Sequence, residues 1–310
     1  MGKFQFPVSS GKLTVIKFSK PISIKETSEE IFCSGTNHCM KFSKTNGRFQ
    51  EFSVTGEKNI IVYPLALNLY RPVIDNHQVY AEQIWQKYHL HLIQEHFQSI
   101  RASRLSPGLI SIVVETCLAP PAYNFGYDCR YEYKLYGTGR MEVTLSGKKY
   151  GLWEHAFLPK IGCDMKLISG FQDLEWYGRG PQESYIDSRS AALISLYRSR
   201  LADLETPYIY PQEYGNLSDV RFARLSSESQ TLSITANSEP FHLSAWNYSA
   251  DDIYSAQHRC ELRPAPYVTL NIDHRLSGLG SKSFGQDILE EHRVGFADFC
   301  YSFVMDLERK

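Results

Sequence analysis

The feature that most constrains this chain is an alternation of apolar and polar residues with a period of two. Met141, Val143 and Leu145 alternate with Glu142 and Thr144, and Leu232, Ile234 and Ala236 repeat the pattern. So do Val268, Leu270 and Ile272, and the segment Phe299-Cys-Tyr-Ser-Phe303 closes the series. Successive side chains of a strand point to opposite faces, so each run reads as a strand with one face in a core. Turn signals separate the runs: Gly137-Thr-Gly139, Ser146-Gly147, Gly178 to Pro181, and Asn237-Ser-Glu-Pro240. Short strands divided in this way predict an all-β sandwich or barrel. One stretch departs from the rule. From Gln78 to Tyr88, Ile84, Trp85 and Tyr88 share one face of a short surface helix, with Asp75-Asn76 as its start signal.

Composition enters as a set of exclusions. With 310 residues the chain has enough length for one large β domain or two ordinary ones. Apolar residues make up 43% and charged residues 22%, which excludes broad disorder. A net charge of −1 carries no footprint for nucleic acid or an anionic membrane. No apolar run reaches membrane-spanning length, and the N-terminus lacks the apolar core of a signal peptide. Seven cysteines without C-x-x-C spacing predict reduced, mostly buried thiols and a cytoplasmic location. The 20 Tyr and 17 Phe suit pleated surfaces, and such flat rings also stack on sugars.

Self-contained catalytic signatures are missing. G-x-S-x-G, Walker A, H-E-x-x-H and a paired C-x-x-C do not occur. Gly178-Arg-Gly180 and Gly278-Leu-Gly280 lack the third glycine of a dinucleotide site and read as turns. His89-Leu-His91 places two imidazoles on one strand face, but with no third ligand in view it reads as a polar face, and no metal site is assigned. A retaining glycosidase needs two carboxylates about 5 Å apart, which spacing in sequence does not reveal. Glu183 and Glu213, beside Pro and aromatic residues, are the only carboxylates that stand out. Both read better as buried acceptors of hydrogen bonds from loop amides or from Arg179.

A series of longer motifs then points to a family. Leu174-Glu-Trp176-Tyr-Gly-Arg179-Gly180-Pro181-Gln182-Glu183-Ser-Tyr185 is followed by Thr206-Pro-Tyr-Ile-Tyr-Pro211-Gln212-Glu213-Tyr-Gly-Asn216 and by Asp219-Val-Arg221. Phe241-His-Leu-Ser-Ala-Trp246-Asn-Tyr-Ser249, Leu270-Asn-Ile-Asp273 and Gly278-Leu-Gly280 come next. Upstream stand Arg71-Pro-Val-Ile-Asp75-Asn76, Tyr136-Gly-Thr-Gly-Arg-Met141 and Leu158-Pro-Lys-Ile-Gly162. In this order they resemble the small-chain, or C-terminal, domain of family-two β-galactosidases, and the resemblance covers roughly residues 28–310.

The resemblance implies a large antiparallel super-sandwich similar to the galactose-mutarotase fold. Residues 1–27 would be the tail of an upstream immunoglobulin-like domain or a disordered lead-in, with a boundary in the polar stretch Ile24 to Glu29. It implies no catalytic residue in this chain, because the family's catalytic glutamates and principal metal ligands lie on a (β/α)₈ barrel. Magnesium is accordingly expected on a barrel-bearing partner, and no cofactor here. Two loops would reach the substrate. One carries Asp75 and Asn76; the other follows Gly280 and carries Phe284, where many members have a Trp that stacks on the non-galactose part of the substrate. Tyr185-Ile-Asp-Ser-Arg189 departs from the usual Y-P-D-R, and Leu217 stands where Arg is common. The expected function is that of a β-galactosidase small chain completing a large chain's active site on β-galactosides such as lactose. The alternative is a non-catalytic carbohydrate-binding or scaffold module; an epimerase rests on fold analogy alone.

Overall fold

Among the described residues there are eighteen strands and a few short helices. The computed structural model describes Gln5, residues 20–155 and residues 157–310. In chain order the strands are β1 (Ser23–Glu26), β2 (Glu30–Ser34), β3 (His38–Ser43), β4 (Phe49–Val54), β5 (Ile61–Asn68) and β6 (Gln94–Ser106). Next come β7 (Leu109–Ala119), β8 (Phe125–Tyr136), β9 (Met141–Gly151), β10 (Lys160–Ile168), β11 (Asp173–Gly180) and β12 (Leu193–Arg200). The last six are β13 (Leu217–Val220), β14 (Phe222–Ser226), β15 (Gln230–Ala236), β16 (Phe241–Trp246), β17 (Tyr267–Leu276) and β18 (Phe299–Arg309). The pairings are antiparallel throughout.

The strands form three sheets. β1 to β4 make a four-stranded meander; β13-β16-β17-β10-β5 make a five-stranded sheet; β12-β11-β14-β15-β18-β9-β8-β7-β6 make a nine-stranded one. The fold is therefore the expected all-β antiparallel sandwich. Inward residues of all three sheets fuse into one apolar cluster, because a sheet with an apolar face is stable only when that face meets another. Two tyrosine hydroxyls bridge the large sheets: Tyr131 Oη on β8 accepts from Leu67 N on β5 at 2.8 Å, and Tyr301 Oη on β18 donates to Ile272 O on β17 at 3.3 Å. Phe42 on β3 packs edge-on to Tyr133 at 5.0 Å, joining the small sheet to the same core.

The alternation reads correctly in β9, where Met141, Val143 and Leu145 are buried and their neighbours partly exposed. In β17 it hides a second layer. Val268, Leu270 and Ile272 face the core, yet Thr269, Asn271 and Asp273 on the opposite face are buried too. A strand buried on both faces must satisfy its polar side chains with other protein groups.

Several local expectations are corrected. Ser146-Gly147 and Gly178-Arg-Gly180 are not turns but parts of β9 and β11. A Cβ at Gly147 would stand 2.3 Å from the Phe299 ring, and one at Gly178 would stand 3.0 Å from Val220 Cα. These glycines mark close approach within strands, not a chain reversal. His89-Leu-His91 is a turn of 3₁₀ helix entered through a left-handed His89 (φ +58°), so the two rings do not share a strand face. Of the stretch 1–27 expected to be a tail or lead-in, residues 1–4 and 6–19 lie outside the described residues, and Ser23 in β1 pairs with Ser34 in β2. Of the cysteines, Cys33, Cys129 and Cys163 are buried, Cys39 and Cys117 partly so, and Cys260 and Cys300 exposed. No described helix is long and apolar enough to cross a membrane.

The expected helix is present as a composite of Asp75–His77, Gln78–Tyr80 and Ala81–Trp85. Its anchor is Trp85, which is 1% exposed, lies edge-on to His77 and Phe157 at 5.4 Å each, and donates from Nε1 to Phe157 O at 3.1 Å. Trp85→Ala is expected to cost about 3–5 kcal/mol of stability. The measurement is urea unfolding; a midpoint unchanged from the parent chain would mean that this segment is not anchored by its indole.

Candidate functional site

Arg71 follows β5 and is 1% exposed, although a guanidinium stays charged at any ordinary pH. Burying it demands partners on every side. Nε lies 2.9 Å from Glu213 Oε2, Nη1 donates to Ser277 O at 3.0 Å, and the face of Tyr185 lies 5.9 Å away. Nη2 lies 3.1 Å from His77 Nδ1. A guanidinium only donates, so His77 accepts there and is neutral. Burial, and then the Arg71 charge, push His77 well below the ordinary imidazole range. Burial pushes the Glu213 carboxyl up to about 7, against the pull of Arg71 and Lys160.

A second pair adjoins the first. Lys160 on β10 lies 3.0 Å from Asp273 Oδ1 and donates to Asn271 Oδ1 at 3.1 Å. Burial works against the ammonium, but Asp273 and Asp164 raise it; Asp273 itself is pushed up by burial. Gly162 makes room for this pair, since a Cβ there would stand 1.8 Å from Asp273 Oδ1.

The longer motifs brace the loops that reach this network. Trp176 Nε1 donates to Arg179 O at 2.9 Å, and Arg179 Nη1 donates to Arg189 O and Ala192 O at 2.9 and 2.8 Å. Arg179 is ion-paired with Asp219, which sits at φ +54°. The expected partnership of Arg179 with Glu183 or Glu213 is thus corrected: Asp219 takes Arg179, and Arg71 takes Glu213. Glu183 does accept a loop amide, Gly215 N at 2.7 Å, together with Tyr208 Oη at 2.6 Å. Pro181 and Gln182 sit on the surface next to β11, whereas Pro211 is buried. Asn216 Nδ2 donates to Ser184 O at 2.7 Å, and Trp246 Nε1 donates to Tyr214 O at 2.9 Å. None of these groups is open to a cleft as a pair of carboxylates.

Asp75, Asn76 and the loop bearing Phe284 do come together. Asp75 N donates to Gln212 Oε1 at 3.1 Å. Asn76 Nδ2 donates to Gly280 O at 2.8 Å, and its Oδ1 accepts from Ser283 N at 3.0 Å and from Ser283 Oγ. Gly280 N donates to Asp187 Oδ2 at 2.8 Å, and Gly280 takes φ +63°, a region that favours glycine. Asp287, bonded by Tyr80 and paired with Arg293 at 3.3 Å, fixes the far end of the loop. The loop is pinned at both ends while Phe284 is 100% exposed. Sequence reasoning missed the roles of His77, Lys160 and Asn271. The only signal was polar residues recurring inside period-two runs. Among the described residues no group of three or more His, Cys, Asp or Glu is placed to hold a metal ion.

Glu213 also sets a pH dependence. Its folded value lies above the ordinary 4.5, so the folded chain holds this proton more tightly than the unfolded one. Stability from this group is full below about 4.5 and is lost as pH rises through about 7. Glu213→Gln, which does not titrate, is expected to lose that part of the slope of urea midpoint against pH. Glu213→Ala, which leaves Arg71 buried and unpaired, is expected to cost about 3–5 kcal/mol at neutral pH. Equal slopes for parent and Gln variant would place the titration elsewhere.

Comparison with known proteins places this arrangement in a family. Residues 34–305 match the family model described as the β-galactosidase small chain. The β-galactosidase of Kluyveromyces lactis is 27% identical over 271 residues, covering 86% of this chain and 26% of the relative. That of Priestia megaterium is 23% identical over 310 residues, covering 99% and 29%. The chain thus spans less than a third of the length of these relatives. A solved galactose 1-epimerase from Lactobacillus acidophilus aligns with 94% of this chain and 99% of its own, at 10% identity and a TM-score of 0.44. With the family model matched from β2 to β18, the chain belongs to the β-galactosidase small-chain family.

Proposed function

We propose that this chain is the small-chain part of a β-galactosidase and completes the active site of a barrel-bearing chain that hydrolyses terminal β-galactosides. The observation that carries the reading is the clasp of Asn76 on Gly280 and Ser283, which presents Phe284 fully exposed at the edge where Asp75 also lies. An aromatic face left in water on a pinned loop is suited to a sugar ring. On this reading the bond-breaking carboxylates, and magnesium, sit with the barrel. This chain's contribution is positional: a preordered edge excludes water and fixes the substrate without paying for loop ordering at each turnover. The buried ion pairs of Arg71 and Lys160 keep the sheet beneath that edge in one arrangement.

The purified chain is expected to leave a chromogenic galactoside uncleaved, and mixing with a barrel-bearing β-galactosidase chain that lacks this domain is expected to restore hydrolysis. In the reconstituted enzyme Phe284→Ala is expected to raise KM for lactose about three- to tenfold, the worth of one aromatic contact, with kcat little changed. Sustained cleavage by this chain unaided would sink the proposal. Sugar binding with no rescue by any barrel partner would leave the carbohydrate-binding module instead.

A further inference from the structure

The outer face of the five-stranded sheet is polar, and loops cover most of it. Along β17 the outward side chains are Thr269, Asn271 and Asp273; across the pairing, Asp164 on β10 stands beside Asn271, and Ser244 on β16 stands on its other side. At one place the cover is incomplete, leaving a cleft of about 260 Å³. Its floor is Asn68, Asp164, Thr269 and Asn271, with Tyr70 and Trp246 among the aromatic side chains that line it. None of Asp75, Asn76 or Phe284 lines it.

Asn271 is the telling residue. It is 3% exposed, and Lys160 donates to its Oδ1 at 3.1 Å. An ammonium can only donate, which fixes the orientation of the amide. Its NH₂ group is left without a partner among the described residues, in the lining of the cleft. A buried donor without an acceptor is destabilising, so an acceptor in the cleft is called for. Opposite charges in the lining balance: Lys160 and Lys166 against Asp164 and Asp251. Lys160 is committed to Asp273, and the Lys166 ammonium lies 4.6 and 4.5 Å from the centres of the Tyr63 and Tyr267 rings. Asp164 accepts from Asn68 Nδ2 at 3.0 Å and retains lone pairs for further donors. A wall of rings over a floor of amides, hydroxyl and carboxylate, without excess charge, selects a neutral polyhydroxylated ring.

We propose that this cleft binds a single neutral hexopyranose, with Asn271 donating to a ring hydroxyl, Asp164 accepting from another, and Tyr70 and Trp246 against the apolar side of the ring. The site is a binding site and performs no chemistry. It is argued from this chain's own lining and does not rest on the reading of Phe284 and Asn76. Loss of sugar binding here and failure of galactoside hydrolysis with a barrel partner are separate results.

The test is a titration of the 310-residue chain with D-galactose, D-glucose and inorganic phosphate, followed by calorimetry and by the side-chain NH₂ resonance of Asn271. The expected result is saturable millimolar binding of at least one hexose that shifts that resonance, with no response to phosphate. Asn271→Asp keeps an acceptor for Lys160 and removes the donor; it is expected to weaken the sugar at least about tenfold. Should that variant not fold, Asn68→Ala, at a partly exposed lining position, is expected to weaken binding in the same direction. No saturable response to either hexose, a shift driven by phosphate instead, or affinity unchanged in both variants would overturn the proposal and leave the cleft to water.

Discussion

One guanidinium decides how the outer face of the five-stranded sheet is built. Arg71 is brought beneath the loops by the chain leaving β5, and it stays charged there. Its demands for an anion, a carbonyl and a neutral acceptor are met by Glu213, Ser277 and His77, which belong to three separate stretches of chain. Those stretches must therefore converge on one point. Lys160 and Asp273 repeat the logic between β10 and β17. Replacing a buried ion pair with apolar residues is often neutral for stability, but removing one member is not. Here the pairs tie together separate stretches of chain at fixed points, alongside the apolar packing of Tyr70, Val73 and Ile288.

That registry reaches the surface through His77. The same short helical segment carries Asp75 and Asn76, and its inner side is held by Trp85 and by the Arg71 contact. Asn76 then takes hold of the loop that bears Phe284. The chain from buried charge to exposed ring is thus continuous: Arg71, His77, Asn76, Gly280, Phe284. Each link is a hydrogen bond or a short run of backbone, and the loop is held as well by Asp187 and Asp287.

Much of the fold was legible because strands advertise themselves by alternation, and β9 obeys it from Met141 to Gly147. Glycines were less legible. Gly147 and Gly178 read as turns because glycine serves both chain reversal and close approach, and only the partner strand distinguishes the two. His89-Leu-His91 misled for a related reason: alternation over three residues fits a strand, while a left-handed φ is invisible in sequence. In the site, the acceptor roles of the half-buried Glu183 and the buried Glu213 were readable from their surroundings, but the exchange of Arg179 for Arg71 was not. That pairing joins residues 142 positions apart, and only the assembled sheet brings them within reach. The convergence of Asp75, Asn76 and Phe284 came from resemblance, not from spacing, for the same reason.

The doubly buried strand β17 explains why edge and cleft occur on one sheet. Its core face needs nothing beyond apolar contact, but its outer face holds Thr269, Asn271 and Asp273, which require partners once loops cover them. Asp273 is satisfied by Lys160, and Thr269 donates to Tyr248 O at 2.7 Å. Asn271 is satisfied on one side only. A hydrophobic residue at that position would avoid the unmet donor, and an amide would be indifferent if it were exposed to bulk water. On the two proposals made above, the half-satisfied amide would gain from a hydroxyl-bearing ligand and the exposed ring from a sugar face. Both features lie beside buried charge: Lys160 fixes the Asn271 amide, and Arg71 holds His77 next to the Asn76 that clasps the Phe284 loop.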